Sequence, residues 1–193
     1  MCKCYEHAIV ITNRALVNGD FLEQLQKVSQ VHPHALILRE KDLPDAEYEK
    51  LAAKVLEIYK TAGIHVFLHS RMEIAERLGC ENIHLSIPVL QDLSDVWRDA
   101  LTTNFKEISV SCHSMEDVEL AVKSGATQIV LGTIFETECK KGLKGRGLEF
   151  VREICANCPV PVYAIGGINE ERLLQVMEAG AAGGCMMSGF MRM

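Results

Sequence analysis

The 193-residue chain has no apolar run of the ~18 residues that cross a bilayer, so no membrane span is expected. It has no Pro/Ser-rich linker and no low-complexity segment, so a single domain over residues 1–193 is expected. It has no excess of positive charge: the net charge is -6, which argues against nucleic acid as the main partner. The opening Met1-Cys2-Lys3-Cys4-Tyr5-Glu6-His7 is polar and lacks the apolar core of a secretory signal. A cytoplasmic, reducing setting is the expectation. Cysteine is not scarce, at eight residues, but its spacing is poor for a metal. Cys155-Ala156-Asn157-Cys158 is a single CxxC, and Cys2 and Cys4 are the only other close pair. A structural zinc would need both pairs to meet, and no metal is expected. Cys80, Cys112 and Cys185 fall in or beside apolar strands and read as small core residues.

What is present is a regular alternation. Short apolar runs at 8–12, 35–39, 65–68, 83–85, 107–111, 128–131, 161–165 and 184–187 read as strands buried on both faces. Helical signals separate them. Asp20 caps a helix with Leu22, Leu25 and Val28 at helical spacing, and Pro44 opens one that stops at Gly63. Residues 72–78 and 93–101 are helical, the second with Trp97 on its buried side. Ser114 with Asp117 makes a capping-box-like start, residues 148–155 form a further helix, and Asn169 caps the last, ending at Gly180. This α/β alternation, repeated eight times with short links, predicts a (β/α)8 TIM barrel over an open doubly wound sheet.

After strand eight the chain has only Ser188 to Met193. That leaves room for about one turn at 3.6 residues per turn, so the eighth helix is expected to be missing or reduced to about one turn. The outer faces of strands one and eight, with side chains among Ile9, Ile11, Cys185 and Met187, would then lack cover. A bare apolar patch marks an interface. The expectation is a homo-oligomer, or else Phe190, Met191 and the segment from Met1 to Tyr5 folded over the gap.

In such barrels chemistry sits at the carboxyl ends of the strands. Alternation puts Ile37, Arg39 and Lys41 on one face, so two cations would crown the mouth if that face is the lumen. Arg71 and Ser111 end strands three and five. The loop from Leu131 to Gly147 carries Gly142, Gly145 and Gly147 with Lys140, Lys141, Lys144 and Arg146, and suits an anionic small molecule. Gly166-Gly167 before the Asn169-capped helix, and Met187-Ser188 after strand eight, can offer backbone N–H groups to a phosphate. His69, His84 and His113 fall near strand ends, where a proton-transfer residue would sit.

Five segments, taken in order, resemble the thiamine phosphate synthase superfamily over nearly the whole chain. They are Leu38-Arg39-Glu40-Lys41, Val110-Ser111-Cys112-His113-Ser114, the loop from Gly132, Pro161-Val162-Tyr163-Ala164-Ile165-Gly166-Gly167-Ile168, and Ala179-Gly180-Ala181. The run from Phe135 to Leu143 with Gly145-Arg146-Gly147 is similar to the TenI-like branch, which tautomerises a thiazole carboxylate phosphate without a cofactor. The resemblance implies a partner in a phosphorylated thiazole. It matches Arg39, Lys41, Thr137 and Lys140 as substrate-binding residues and Gly166, Gly167 and Ser188 as phosphate-binding ones, and the strand-end rule adds Arg71, Ser111 and Met187 to these expectations. The tautomerases carry their catalytic histidine where Thr133 stands, so His69, His84 or His113 is the expected replacement.

The alternative is a thiamine phosphate synthase, which joins a pyrimidine diphosphate to a thiazole phosphate with magnesium. Against it, the resemblance puts Ser70 and Val89 where synthases hold magnesium aspartates, and Ile37 where they hold a glutamine. A further alternative is a non-catalytic protein that binds the phosphorylated ligand in a regulatory role.

Overall fold

Eight short runs of buried residues become parallel strands: β1 (Ala8–Ile11), β2 (Ala35–Leu38), β3 (His65–His69), β4 (Asn82–Ser86), β5 (Glu107–Cys112), β6 (Gln128–Gly132), β7 (Val162–Ile165) and β8 (Gly183–Met186). The structure is a computed structural model that describes residues 3–136 and 144–193, leaving aside the side chains of Lys3 and Cys4. Each strand pairs with the next, and β8 pairs with β1, so the barrel closes. Closure leaves no sheet edge unpaired.

Among the described residues the strands are linked by α1 (Phe21–Ser29), α2 (Asp45–Ala62), α3 (Met72–Arg77), α4 (Ile87–Gln91), α5 (Asp95–Asn104), α6 (Met115–Lys123), α7 (Gly147–Asn157) and α8 (Glu170–Glu178). The caps read from the sequence form. Asp20 accepts from the Glu23 N–H at 2.9 Å, Ser114 from Asp117 at 3.2 Å and Asn169 from Arg172 at 2.9 Å. Each satisfies a donor that the helix leaves open, worth about 1 kcal/mol. Helix α2 ends at Gly63, in the left-handed conformation that glycine takes without strain. Between β4 and β5 the sequence suggests one helix, whereas the chain makes two. Pro88 seats in the first turn of α4, where its missing N–H costs nothing.

Strand alternation sorts side chains into two cores. Ala8, Val10, Leu36, Leu38, Leu68, Ile83 and Leu85 face outward and pack with helix residues such as Leu25, Val55, Tyr59 and Leu173. Burying one such side chain contributes about 1.5–3 kcal/mol. Ile9, Ile11, Ala35, Ile37, Phe67, Val130, Tyr163 and Cys185 make the second core, inside the barrel. The sequence expectation for Ile9, Ile11 and Cys185 is therefore corrected: they line the lumen, and Met187 packs against that same cluster. All four residues of β1 are buried, so polarity alone could not tell its two faces apart.

The seam between β8 and β1 is tight. A Cβ on Gly183 would lie 1.9 Å from the His7 carbonyl oxygen. After β8 comes α9 (Ser188–Met191), a single turn, as the remaining length predicts. Phe190 and Met191 are buried, and the Tyr5 ring lies 5.3 Å from the Phe190 ring. Gln24 Nε2 donates to the Phe190 carbonyl at 2.7 Å. Phe190, Met191 and Tyr5 thus pack over this seam, as the second of the two expected routes has it, while Met1 and Cys2 of that segment lie outside the described residues. No helix among the described residues is long and apolar enough to cross a membrane.

Candidate active site at the carboxyl ends of the strands

Register brings two of the three candidate histidines together. His69 on β3 pairs with His84 on β4, and their rings lie 5.5 Å apart. His84 pairs with Ser109 on β5. Its ring is bonded at both nitrogens, Nδ1 with the Ser109 hydroxyl and Nε2 with the Ser111 hydroxyl, each at 2.8 Å. A serine hydroxyl can give or take a hydrogen bond, so this pair satisfies a neutral imidazole in either tautomer. Burial holds the His84 pKa well below its ordinary value, helped by the neighbouring His69 ring and by the charges of Arg39 and Lys41. Burial likewise lowers His69 to about 4, with Lys41, Arg39 and Arg71 adding to the effect. Both rings are neutral at physiological pH.

The cations that act on His69 come from the ends of β2 and β3. Ile37 faces the lumen, so alternation carries Arg39 to the mouth on the same side. The Arg39 N–H donates to the buried Thr12 hydroxyl at 2.9 Å. Arg71 is braced: its guanidinium donates to the Leu43 carbonyl at 2.9 Å, pairs with Asp45 and lies 5.3 Å from the Tyr48 ring centroid. Tyr48 is a positioning residue that the sequence did not flag. Its hydroxyl donates to the Leu38 carbonyl at 2.7 Å and accepts from the His69 N–H at 3.1 Å. Ser70 follows His69 with φ +60, and its Oγ is buried without a hydrogen-bond partner.

The third histidine stands apart. His113 is exposed, its Nδ1 bonds the Gly132 carbonyl at 2.6 Å, and its N–H donates to Asp117 at 2.7 Å. It therefore neighbours Thr133 through the β6 terminus. Thr133 is half-buried against the β7 turn, where a Cβ on Gly166 would lie 2.4 Å from its Cγ2. Gly166 and Gly167 take φ of +107 and +65. Among the described turn and loop bonds, the Gly166 carbonyl accepts from Phe135 and the Gly167 carbonyl from Arg172, while neither glycine donates its N–H. Met187 is half-buried and Ser188 exposed at the start of α9. Thr137 and Lys140 lie outside the described residues. Among those described, no group of three or more His, Cys, Asp or Glu side chains is placed to hold a metal ion.

The opposite rim carries the histidines for which the sequence offered no role. His65 bonds Glu107 at 2.7 Å and His34 bonds the Tyr163 hydroxyl at 2.8 Å. This is the amino end of the strands, where conserved contacts serve stability in such barrels.

A family model described as thiamine monophosphate synthase matches residues 8–190. The chain is 32% identical over 181 residues to a protein of Aquifex aeolicus named putative thiamine-phosphate synthase 2, covering 94% of this chain and 95% of that one. It is 28% identical over 187 residues to the thiamine-phosphate synthase of Clostridium acetobutylicum, covering 97% and 87%. The solved thiamine phosphate pyrophosphorylase of Pyrococcus furiosus superposes with a TM-score of 0.82 at 25% identity, covering 98% of this chain and 89% of that one. None of these three is named a thiazole tautomerase, so the names favour the synthase alternative over the tautomerase expectation.

Proposed function

Because the chain belongs to the thiamine monophosphate synthase family, we propose that it acts in thiamine biosynthesis and joins a thiazole phosphate to a pyrimidine diphosphate. The observation that carries this reading is the near full-length likeness to relatives named as synthases, at 28% and 32% identity. The mouth is consistent with two anions. Arg39, Lys41 and Arg71 crowd the β2–β3 side, around the neutral His69. The Gly166-Gly167 turn opens backbone donors on the β7 side, with Met187 and Ser188 beside it after β8. In this reading the diphosphate, the group that must leave, takes the arginine and lysine side. The thiazole phosphate takes the glycine side. His69 and His84 lie between, as neutral groups able to accept or donate a proton.

A second reading, the thiazole tautomerase, is favoured by the run from Phe135 through Gly147, with its TenI-like sequence. There the thiazole carboxylate would take the Arg39 and Lys41 side, and no diphosphate would be involved. One experiment separates them. Purified protein is given both synthase substrates, and thiamine phosphate is followed; a parallel sample receives thiazole carboxylate phosphate alone. Thiamine phosphate formation supports the synthase. Isomerisation without it moves the assignment to the tautomerase. Saturable binding with neither product leaves a phospholigand-binding protein.

A further inference from the structure

The family resemblance implies a magnesium ion beside the diphosphate, and the residues at this mouth do not fit one. Magnesium takes hard oxygen ligands, mainly carboxylates and phosphates. At the two positions implied for it stand Ser70 and Val89, and Val89 packs with the outer apolar core. The described carboxylates on the β2–β3 side are engaged elsewhere. Glu40 is buried and accepts from the Arg14 N–H at 3.2 Å and from its guanidinium at 3.3 Å. Asp42 pairs with the same Arg14, and Asp45 pairs with Arg71. The described side chains around Ser70 are cationic and donor-rich. The guanidinium of Arg39 makes no ion pair with a described residue, the Ser70 hydroxyl is a buried donor without a partner, and Lys41 and Arg71 flank them. Ser70 also holds a left-handed backbone, its N–H donating to the His84 carbonyl at 2.9 Å. Such a conformation costs a non-glycine residue of order 1–3 kcal/mol and clusters at ligand clamps.

We infer that the β2–β3 side of the mouth binds a diphosphate directly, through Arg39, Lys41, Arg71 and the Ser70 hydroxyl, without a divalent cation. The choice of diphosphate rests on the synthase reading. Direct binding by fixed cations also replaces the positive charge that a metal would bring to the leaving group.

The test is calorimetric titration of the purified full chain with inorganic diphosphate, once with a chelator and once with excess magnesium. Thiamine phosphate formation is followed under the same two conditions. Binding is expected with the chelator present and is expected to be no tighter with excess magnesium, which competes for the diphosphate in solution. Arg39→Ala is expected to weaken binding about tenfold in both conditions, the loss of a charge-assisted contact. Ser70→Gly relaxes the left-handed backbone and removes the hydroxyl. It should be at least as stable as the parent in thermal unfolding yet bind diphosphate several-fold more weakly. Binding that appears only with magnesium overturns the inference, and so does no binding in either condition. Unchanged affinity in Ser70→Gly removes the hydroxyl from the site. Binding with the chelator present but no product in either condition supports the inference and refutes the synthase reading alone.

Discussion

His69 makes the fold sensitive to acid, and the size of the effect follows from its surroundings. Burial and the charges of Lys41, Arg39 and Arg71 lower its pKa to about 4 in the folded chain. An unfolded histidine titrates at about 6.5. Between those values the unfolded state binds a proton that the folded state refuses, so stability rises with pH across the window. The contribution is complete above about 6.5 and lost by about 4. A gap of about 2.5 corresponds to about 3 kcal/mol, a large share of a typical domain's stability. His84, fully buried, acts in the same direction.

The perturbation is His69→Asn, which keeps a polar side chain and removes the titration. The Tyr48 hydroxyl bonds the backbone N–H of residue 69, so that contact survives the change. Urea unfolding of parent and variant is followed by circular dichroism at intervals from pH 7 to pH 4. The stability of the parent relative to the variant should fall by about 3 kcal/mol over that range. Ring titration by NMR provides an independent readout, and Lys41→Ala should raise the His69 value. A stability difference that stays flat with pH, or a ring that titrates near 6.5, would refute the reasoning.

Three further substitutions probe other parts of the barrel. Gly183→Ala places a Cβ 1.9 Å from the His7 carbonyl oxygen at the β8–β1 seam, a backbone clash that no rotamer relieves. It should cost about 3 kcal/mol in thermal unfolding, and an unchanged midpoint would contradict the tight seam. Gly166→Ala meets Thr133 Cγ2 at 2.4 Å and holds an unfavourable φ of +107. It should weaken thiazole phosphate binding about tenfold by displacing the turn, with partial rescue by Thr133→Ser, and wild-type affinity would remove this turn from the site. Ser109→Ala leaves the buried His84 Nδ1 without its partner and should cost about 1–3 kcal/mol in urea unfolding, whereas no loss would mean that another group takes the bond.

The barrel was legible because its signals are local. Four-residue runs such as Ala35–Leu38 are buried throughout, and Asp20, Ser114 and Asn169 all cap as their spacing predicts. The facing of β1 was not legible, since a strand buried on both sides shows no contrast between its faces. Among the candidate site residues, Arg39 was visible from its place at the end of β2, whereas His84, expected near a strand end, stands at the middle of β4. The Ser109–His84–Ser111 bridge also left a trace, because Glu107, Ser109 and Ser111 put polar atoms at every second position of an otherwise apolar strand. Tyr48 and the Arg14–Glu40 pair left none. Tyr48 reads as one more apolar position of α2, and its contact with His69 exists only after α2 packs on the sheet.

The lumen divides by chemistry, and the division bears on mechanism. β1, β2, β7 and β8 fill their share with Ile9, Ile11, Ala35, Ile37, Tyr163 and Cys185. β4 and β5 fill theirs with His84, Ser109 and Ser111, bonded to one another. An imidazole in an apolar interior would carry unsatisfied nitrogens at a cost of about 1–3 kcal/mol each. Confining the ring to one sector with two hydroxyls removes that cost and leaves the rest of the barrel free to pack. Burial keeps His69 and His84 uncharged, and Arg39 and Lys41 at the rim add to the effect on both. In the proposed function these same rim cations bind the anion. In that reading proton exchange would fall to rings that burial keeps neutral and that those cations help to keep so. Removing a rim cation should therefore lower anion affinity and raise the histidine pKa together, a coupling that a site with separate binding and proton-transfer groups would not show.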